Sequence, residues 1–123
     1  MIISVYNGAN YICEAVDSVL NQTCKQIDII IDDDGSTDKT RQVLEPYLKR
    51  NEIKYHYQAN AGNGTARNTA IRNSKGDYIC FLDHDDLLER SSIEKRLCLF
   101  KNHIAIELVF TDFTLLFKNG ADQ

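Results

Sequence analysis

Apolar positions along the chain follow two alternating rhythms. Short continuous runs occur at Ile2, Ile3 and Val5, at Ile27 to Ile31, at Ile53 to Tyr57, at Tyr78 to Leu82 and at Leu108 to Phe110. Thr114 to Phe117 could add a sixth before the turn residues Asn119 and Gly120. Such runs read as strands, and those without polar alternation, IDIII and YICFL, read as strands covered on both faces. Between them the apolar spacing is helical. Asn10 can cap a helix to about Gln22, with Ile12, Ala15, Val16, Val19 and Leu20 on one face. Ser36, Thr37 or Asp38 can cap TDKTRQVLEPYLK, which Pro46 should kink or end early. NAGNG opens a helix over TARNTAIRNSK, stopped by Gly76, and Ser91 or Ser92 can cap SSIEKRLCLFKN.

Strand and helix therefore alternate from end to end. That order predicts an α/β fold with a mainly parallel open sheet, right-handed crossovers and helices on both faces. No repeat, linker or low-complexity stretch divides residues 1–123, so one domain is expected.

The polar residues then fall in a telling place. The first strand runs into Ser4, Tyr6 and Asn7, the second into Asp32, Asp33, Asp34 and GSTD. The third runs into Asn60, Gly62 and Gly64, the fourth into Asp83, His84, Asp85 and Asp86. In a parallel sheet the carboxyl ends of the strands share one edge, where ligands bind. Segments far apart in sequence should meet there in one crevice carrying two acid blocks.

Each cluster also has a plainer explanation. DDDGSTD could be a solvated turn that caps a helix, and NAGNG a flexible loop, since it has neither P-loop nor dinucleotide spacing. FLDHDD is harder to explain that way, because crowded carboxylates repel. On an extended segment Asp83 and Asp85 would face the same way and His84 would be a spacer pointing away. Two such oxygens suit a hard divalent ion, magnesium or manganese, which takes further ligands from substrate phosphates. With Arg67 nearby, the crevice suits a diphosphate.

Composition narrows the partners. The chain is 43% hydrophobic and 26% charged, as expected of a globular domain. Its net charge of −4, with Lys and Arg scattered, argues against a nucleic-acid surface. Cys13, Cys24, Cys80 and Cys98 lack zinc spacing and read as reduced, mostly buried thiols. MIISVYNGAN has no basic leader and no long apolar core, so neither signal peptide nor transmembrane span is predicted, and a cytoplasmic protein is expected.

SVYNGANYICEAVDSVLNQT, DDGSTDKT, NAGNGTARNTAI and KGDYICFLDHDD, in that order, resemble the family 2 glycosyltransferases of the GT-A fold. The resemblance covers nearly the whole chain. It implies transfer of a sugar, usually with inversion, from a nucleotide-diphospho-sugar to a saccharide, lipid-linked or protein acceptor. UDP is the nucleotide it favours, and the work can lie at the inner face of the membrane. It implies that Ser4, Tyr6 and Asn7 lie against the nucleoside, that Asp34 accepts from the base, and that Gly62 and Arg67 lie by the nucleotide or diphosphate. Asp83 and Asp85 match the family's DxD, with Asp83 facing ribose or sugar and Asp85 binding the metal; Asp86 contacts the donor or holds the loop.

Asp32 stands where the family usually has an apolar residue, and Ser4 where it often has proline. No residue matches the family's general base, which is expected beyond Gln123, so this chain would be the donor half. An exposed edge near Thr114 to Phe117 would favour self-association. Two other classes fit parts of the pattern. A receiver-like, Mg-binding or nucleotide-binding module would want acids after the first strand, where Tyr6 and Asn7 stand; a dehalogenase-type phosphotransferase would want Thr or Val at Leu87.

Overall fold

A computed structural model describes residues 1–60, 62–103 and 105–115. Four strands and four helices alternate: β1 Ile2–Val5, α1 Ile12–Leu20, β2 Ile30–Asp33, α2 Thr40–Lys49, β3 Lys54–Tyr57, α3 Asn63–Asn73, β4 Phe81–Asp83 and α4 Ser92–Asn102. All paired strands are parallel, in the order β3-β2-β1-β4. The chain builds outward from β1 through β2 to β3, then returns to place β4 on the other side of β1. That reversal is the topological switch point, and parallel sheets open a crevice there.

The two sheet faces are packed differently. Ile3, Val5, Ile31 and Leu82 join Ile12, Ala15, Val16 and Val19 of α1 and Leu44 and Tyr47 of α2 in the main core. The helical spacing seen in the α1 sequence is thus the spacing of its buried face. On the opposite face Ile2 and Ile30 pack against Ala70 of α3. Helices on both faces are as the sequence predicts. Gln22, fully buried, links α1 to α4: its Nε2 donates to Ser18 O at 3.1 Å and Glu89 O at 2.8 Å, and its Oε1 accepts from Ile93 N–H at 3.1 Å.

Several boundaries move. β2 begins at Ile30 and takes in Asp32 and Asp33, because those residues pair with Ser4 and Val5 of β1. β4 is only Phe81–Asp83, and it is not covered on both faces. It pairs with β1 alone among the described residues, so Tyr78, Ile79 and Phe81 are exposed and only Leu82 is buried. Pro46 does not end α2 early: Leu44 and Tyr47, either side of it, are buried, and that anchorage carries the helix to Lys49 despite the missing N–H. The predicted strand Leu108–Phe110 forms no ladder; without a partner strand Leu108 and Phe110 stay 77% and 86% exposed. Thr114 and Leu115 likewise form no strand, and residues 116 and 117 lie outside the described residues. The four thiols are free, but none is buried: Cys98 is exposed and the others half-buried.

Candidate functional site

The carboxyl ends of β1, β2 and β4 and the loop before α3 enclose a crevice of about 450 Å³. Ser4, Val5, Tyr6, Asp34, Asn60, Gly62, Asp83, His84 and Asp85 line it. Six of the sequence-predicted site residues are among them: Ser4, Tyr6, Asp34, Gly62, Asp83 and Asp85. They come from four chain segments and meet because the parallel sheet puts its strand ends on one edge.

The β2 side is heavily cross-linked. Asp34 Oδ1 accepts from Gln58 Nε2 at 2.8 Å, and its Oδ2 accepts from Gly62 N–H at 3.0 Å. Asp34 therefore ties the end of β2 to the loop that enters α3. Gly35, at φ 86°, turns the chain beneath it; a Cβ there would lie 2.8 Å from the Asn60 backbone nitrogen. Asn7 sits in the left-handed region at φ 52° and its side chain turns away from the crevice. Its Oδ1 accepts from Thr37 N–H at 2.8 Å, while its own N–H donates to Ser36 Oγ at 2.8 Å. Asn7 thus stitches the loop after β1 to the loop after β2, and is not among the lining residues as the resemblance implied. Two more bonds continue the seam: Gly8 N–H to Thr40 Oγ1 at 3.0 Å and Ala9 N–H to Asp38 Oδ2 at 3.1 Å.

On the β4 side the extended-strand argument fails after Asp83. Asp86 N–H donates to Asp83 O at 3.1 Å, closing a turn. Alternation therefore no longer sends His84 outward: it lines the crevice and leans on Gly8, where an added Cβ would meet its Cδ2 at 2.4 Å. Sequence reasoning missed this ring; the turn-forming acids after β4 were the signal that the strand had ended. Burial, followed by the charges of Asp85 and Asp83, holds the Asp86 carboxyl above the usual carboxylate range.

Arg67 supplies positive charge to the acid block. Its Nη2 lies 2.6 Å from Asp83 Oδ1, and its guanidinium carbon 5.6 Å from the Phe81 ring centroid. It does not line the crevice itself. The Asp85 carboxylate has no such partner among the described residues and opens into the crevice beside Asp83. Among the described residues no three His, Cys, Asp or Glu side chains converge as a ready-made metal cage. One or two carboxylates on an open, polar crevice nonetheless fit magnesium or manganese, which fill their shells with water and substrate oxygens.

Under α3 a polar row crosses the sheet in register: His56, Asp32, Ser4 and Asp83. Asp32 is 1% exposed, and among the described residues neither of its oxygens has a hydrogen-bond partner; Ser4 Oγ is also buried without one among them. Burial pushes the Asp32 carboxyl up to about 6; His56 pulls it down, and Asp34 and Asp33 push it further up.

An open parallel sheet with a polar, acid-lined crevice at its switch point defines an α/β ligand-binding fold. The sequence profile of Glycosyl transferase family 2 matches residues 1–113, and the chain belongs to that family. An uncharacterized glycosyltransferase of Rickettsia typhi is 48% identical over 79% of this chain and 30% of its own length. Chondroitin synthase of Escherichia coli is 41% identical over 89% of this chain and 16% of its own. Among solved structures, S. aureus TarS 1-349 in complex with UDP-GlcNAc matches with a TM-score of 0.77 at 28% identity, over 84% of this chain and 31% of that one. The mannosyltransferase PcManGT of Pyrobaculum calidifontis, in complex with GDP-Man and Mn2+, matches with a TM-score of 0.65 at 25% identity, over 70% and 27%. The chain thus spans about a third or less of these proteins, and the parallel sheet is the GT-A sheet. Family membership sets aside the receiver and dehalogenase alternatives. No helix among the described residues is long and apolar enough to cross a membrane.

Proposed function

We propose that this chain is the donor-binding part of an inverting glycosyltransferase. It takes a sugar from a nucleotide-diphospho-sugar, with UDP the first choice of nucleotide, to an acceptor hydroxyl. The observation that carries the proposal is the convergence of Ser4, Tyr6, Asp34, Asp83 and Asp85 on one crevice at the switch point. The likeness to TarS, solved with UDP-GlcNAc, supports UDP; the likeness to a mannosyltransferase solved with GDP-Man and Mn2+ keeps GDP as the competitor.

In this proposal Tyr6 and Ser4 flank the nucleoside, Asp34 accepts from the base, and Gly62 lets the backbone come close. Asp83 faces ribose or sugar, and Arg67 both holds Asp83 and stands ready for the diphosphate. Asp85, with Asp83, would hold a magnesium or manganese ion; bound there, the ion supplies Lewis-acid neutralisation of the diphosphate. The acceptor oxygen forms its bond to the anomeric carbon as the bond to the diphosphate breaks, and the acceptor proton goes to a general base. We assign that base to none of the described residues. The acceptor belongs to saccharide, lipid-linked or protein chemistry, as in polysaccharide or cell-envelope assembly, in the cytoplasm or at the inner face of the membrane. Self-association would use the exposed apolar stretch Leu108, Phe110 and Phe113.

Parallel titrations of UDP, dTDP and GDP with Mn2+ test the proposal. UDP is expected to bind tightest, by about tenfold or more. Tighter binding of GDP would overturn the nucleotide assignment, and binding of none would overturn the donor-site proposal itself.

A further inference from the structure

The Asp33 carboxylate is 1% exposed and faces away from the crevice, into the α1 and α2 side of the sheet. It is nonetheless the start of a hydrogen-bond chain that ends at the crevice wall. Its Oδ1 accepts from Ser36 N–H at 2.7 Å, and its Oδ2 accepts from the Tyr55 hydroxyl of β3. Ser36 Oγ accepts from Asn7 N–H, and Asn7 Oδ1 accepts from Thr37 N–H. The two residues these bonds hold from either side, Tyr6 before Asn7 and Asp34 after Asp33, both line the crevice.

Tyr55 suits the role of anchor. It stands opposite Ile31 in the register, one diagonal step from Asp33, a span that an aromatic side chain can bridge. The Arg41 guanidinium carbon, from the first turn of α2, lies 5.3 Å from its ring centroid and seats the ring. Burial and the bond to Asp33 push the phenol well above its usual range, so it stays a donor. Tyr55 itself does not line the crevice.

We propose that Tyr55 is a positioning residue for the nucleotide: through Asp33 it fixes the loop that presents Asp34 and Tyr6. This rests on the donor-nucleotide proposal above, and its test separates the two. Tyr55→Phe keeps the ring and removes the donor. Tyr47→Phe is the matched control: it too removes a phenol bonded to a carboxylate, Asp17 Oδ1 at 2.8 Å, but one with no link to the crevice. Hydrogen exchange at the Asn7 and Ser36 amides and UDP affinity with Mn2+ are measured for both variants of the full chain.

Tyr55→Phe is expected to lose amide protection at Asn7 and Ser36 and to weaken UDP about tenfold. Tyr47→Phe is expected to lose stability while keeping both. Equal weakening by the two variants would reduce Tyr55 to a structural residue and overturn the proposal. So would unchanged UDP affinity in Tyr55→Phe, with or without lost protection. If the native chain binds no UDP, the donor-nucleotide proposal fails on its own, and the exchange data alone decide whether Tyr55 holds the loop.

Discussion

Replacing Asp32 with valine is expected to stabilise the protein by about 3 kcal/mol at pH 8, a gain that shrinks as pH falls from 6 to 4. The cause is local. Asp32 lies between Ser4 and His56 in the sheet, beneath α3, and both of its oxygens are buried without a partner among the described residues. Its carboxyl is pushed from an ordinary 3.8 up to about 6, chiefly by burial. A folded-state value above the unfolded one means that the folded chain binds the proton more tightly. The stability linked to that proton is therefore fully present below pH 3.8 and is lost as pH rises through about 6. Valine removes the titrating group and the cost of burying its unbonded oxygens, and buries apolar surface instead. Urea unfolding of both proteins at pH 8 and pH 4 measures the difference. A valine variant no more stable than the native chain, or a difference independent of pH, would contradict this account of Asp32.

Asp34→Ala is expected to weaken UDP binding roughly 100-fold, about 3 kcal/mol. Two losses combine. The carboxylate loses the bond from the base that the proposed function gives it, and it no longer holds Gln58 Nε2 and Gly62 N–H. The loop entering α3 is then released from β2 just where Gly62 should meet the nucleotide. Asp34→Asn keeps one acceptor oxygen and should fall between the two. Calorimetric titration of UDP into the three proteins reads the series. An alanine variant within about threefold of the native chain would remove Asp34 from the site.

Much of this was legible before the structure. The alternation of apolar runs and helical spacings gave the parallel order, because buried parallel strands and their crossover helices have few other ways to arrange themselves. The placement of polar clusters after strands predicted the crevice, and the resemblance picked out six of its lining residues. What stayed hidden depended on pairing or on turns. Leu108 to Phe110 has the composition of a strand, but a strand needs a partner. His84 was misread because alternation holds only while the chain is extended, and the chain turns at Asp83. The resemblance implies a place for Asn7 against the nucleoside; that its side chain also joins the two loops through Thr37 is visible only in the fold. Asp33 looked like one more acid in a polar turn; only the register with β3 shows that Tyr55 reaches it. Asp32 stood out in sequence as a departure from the family, but its cost became visible only with its burial.

In the proposed function the crevice takes a nucleoside diphosphate through a metal held at Asp85. Calorimetry of UDP with Mn2+, and with EDTA in its place, on the native chain and on Asp85→Ala, tests it most directly. Binding by the native chain with Mn2+, abolished by EDTA and weakened at least tenfold in a folded Asp85→Ala protein, is the predicted result. Equal affinity with and without the ion, or an Asp85→Ala variant that binds as the native chain does, would contradict it.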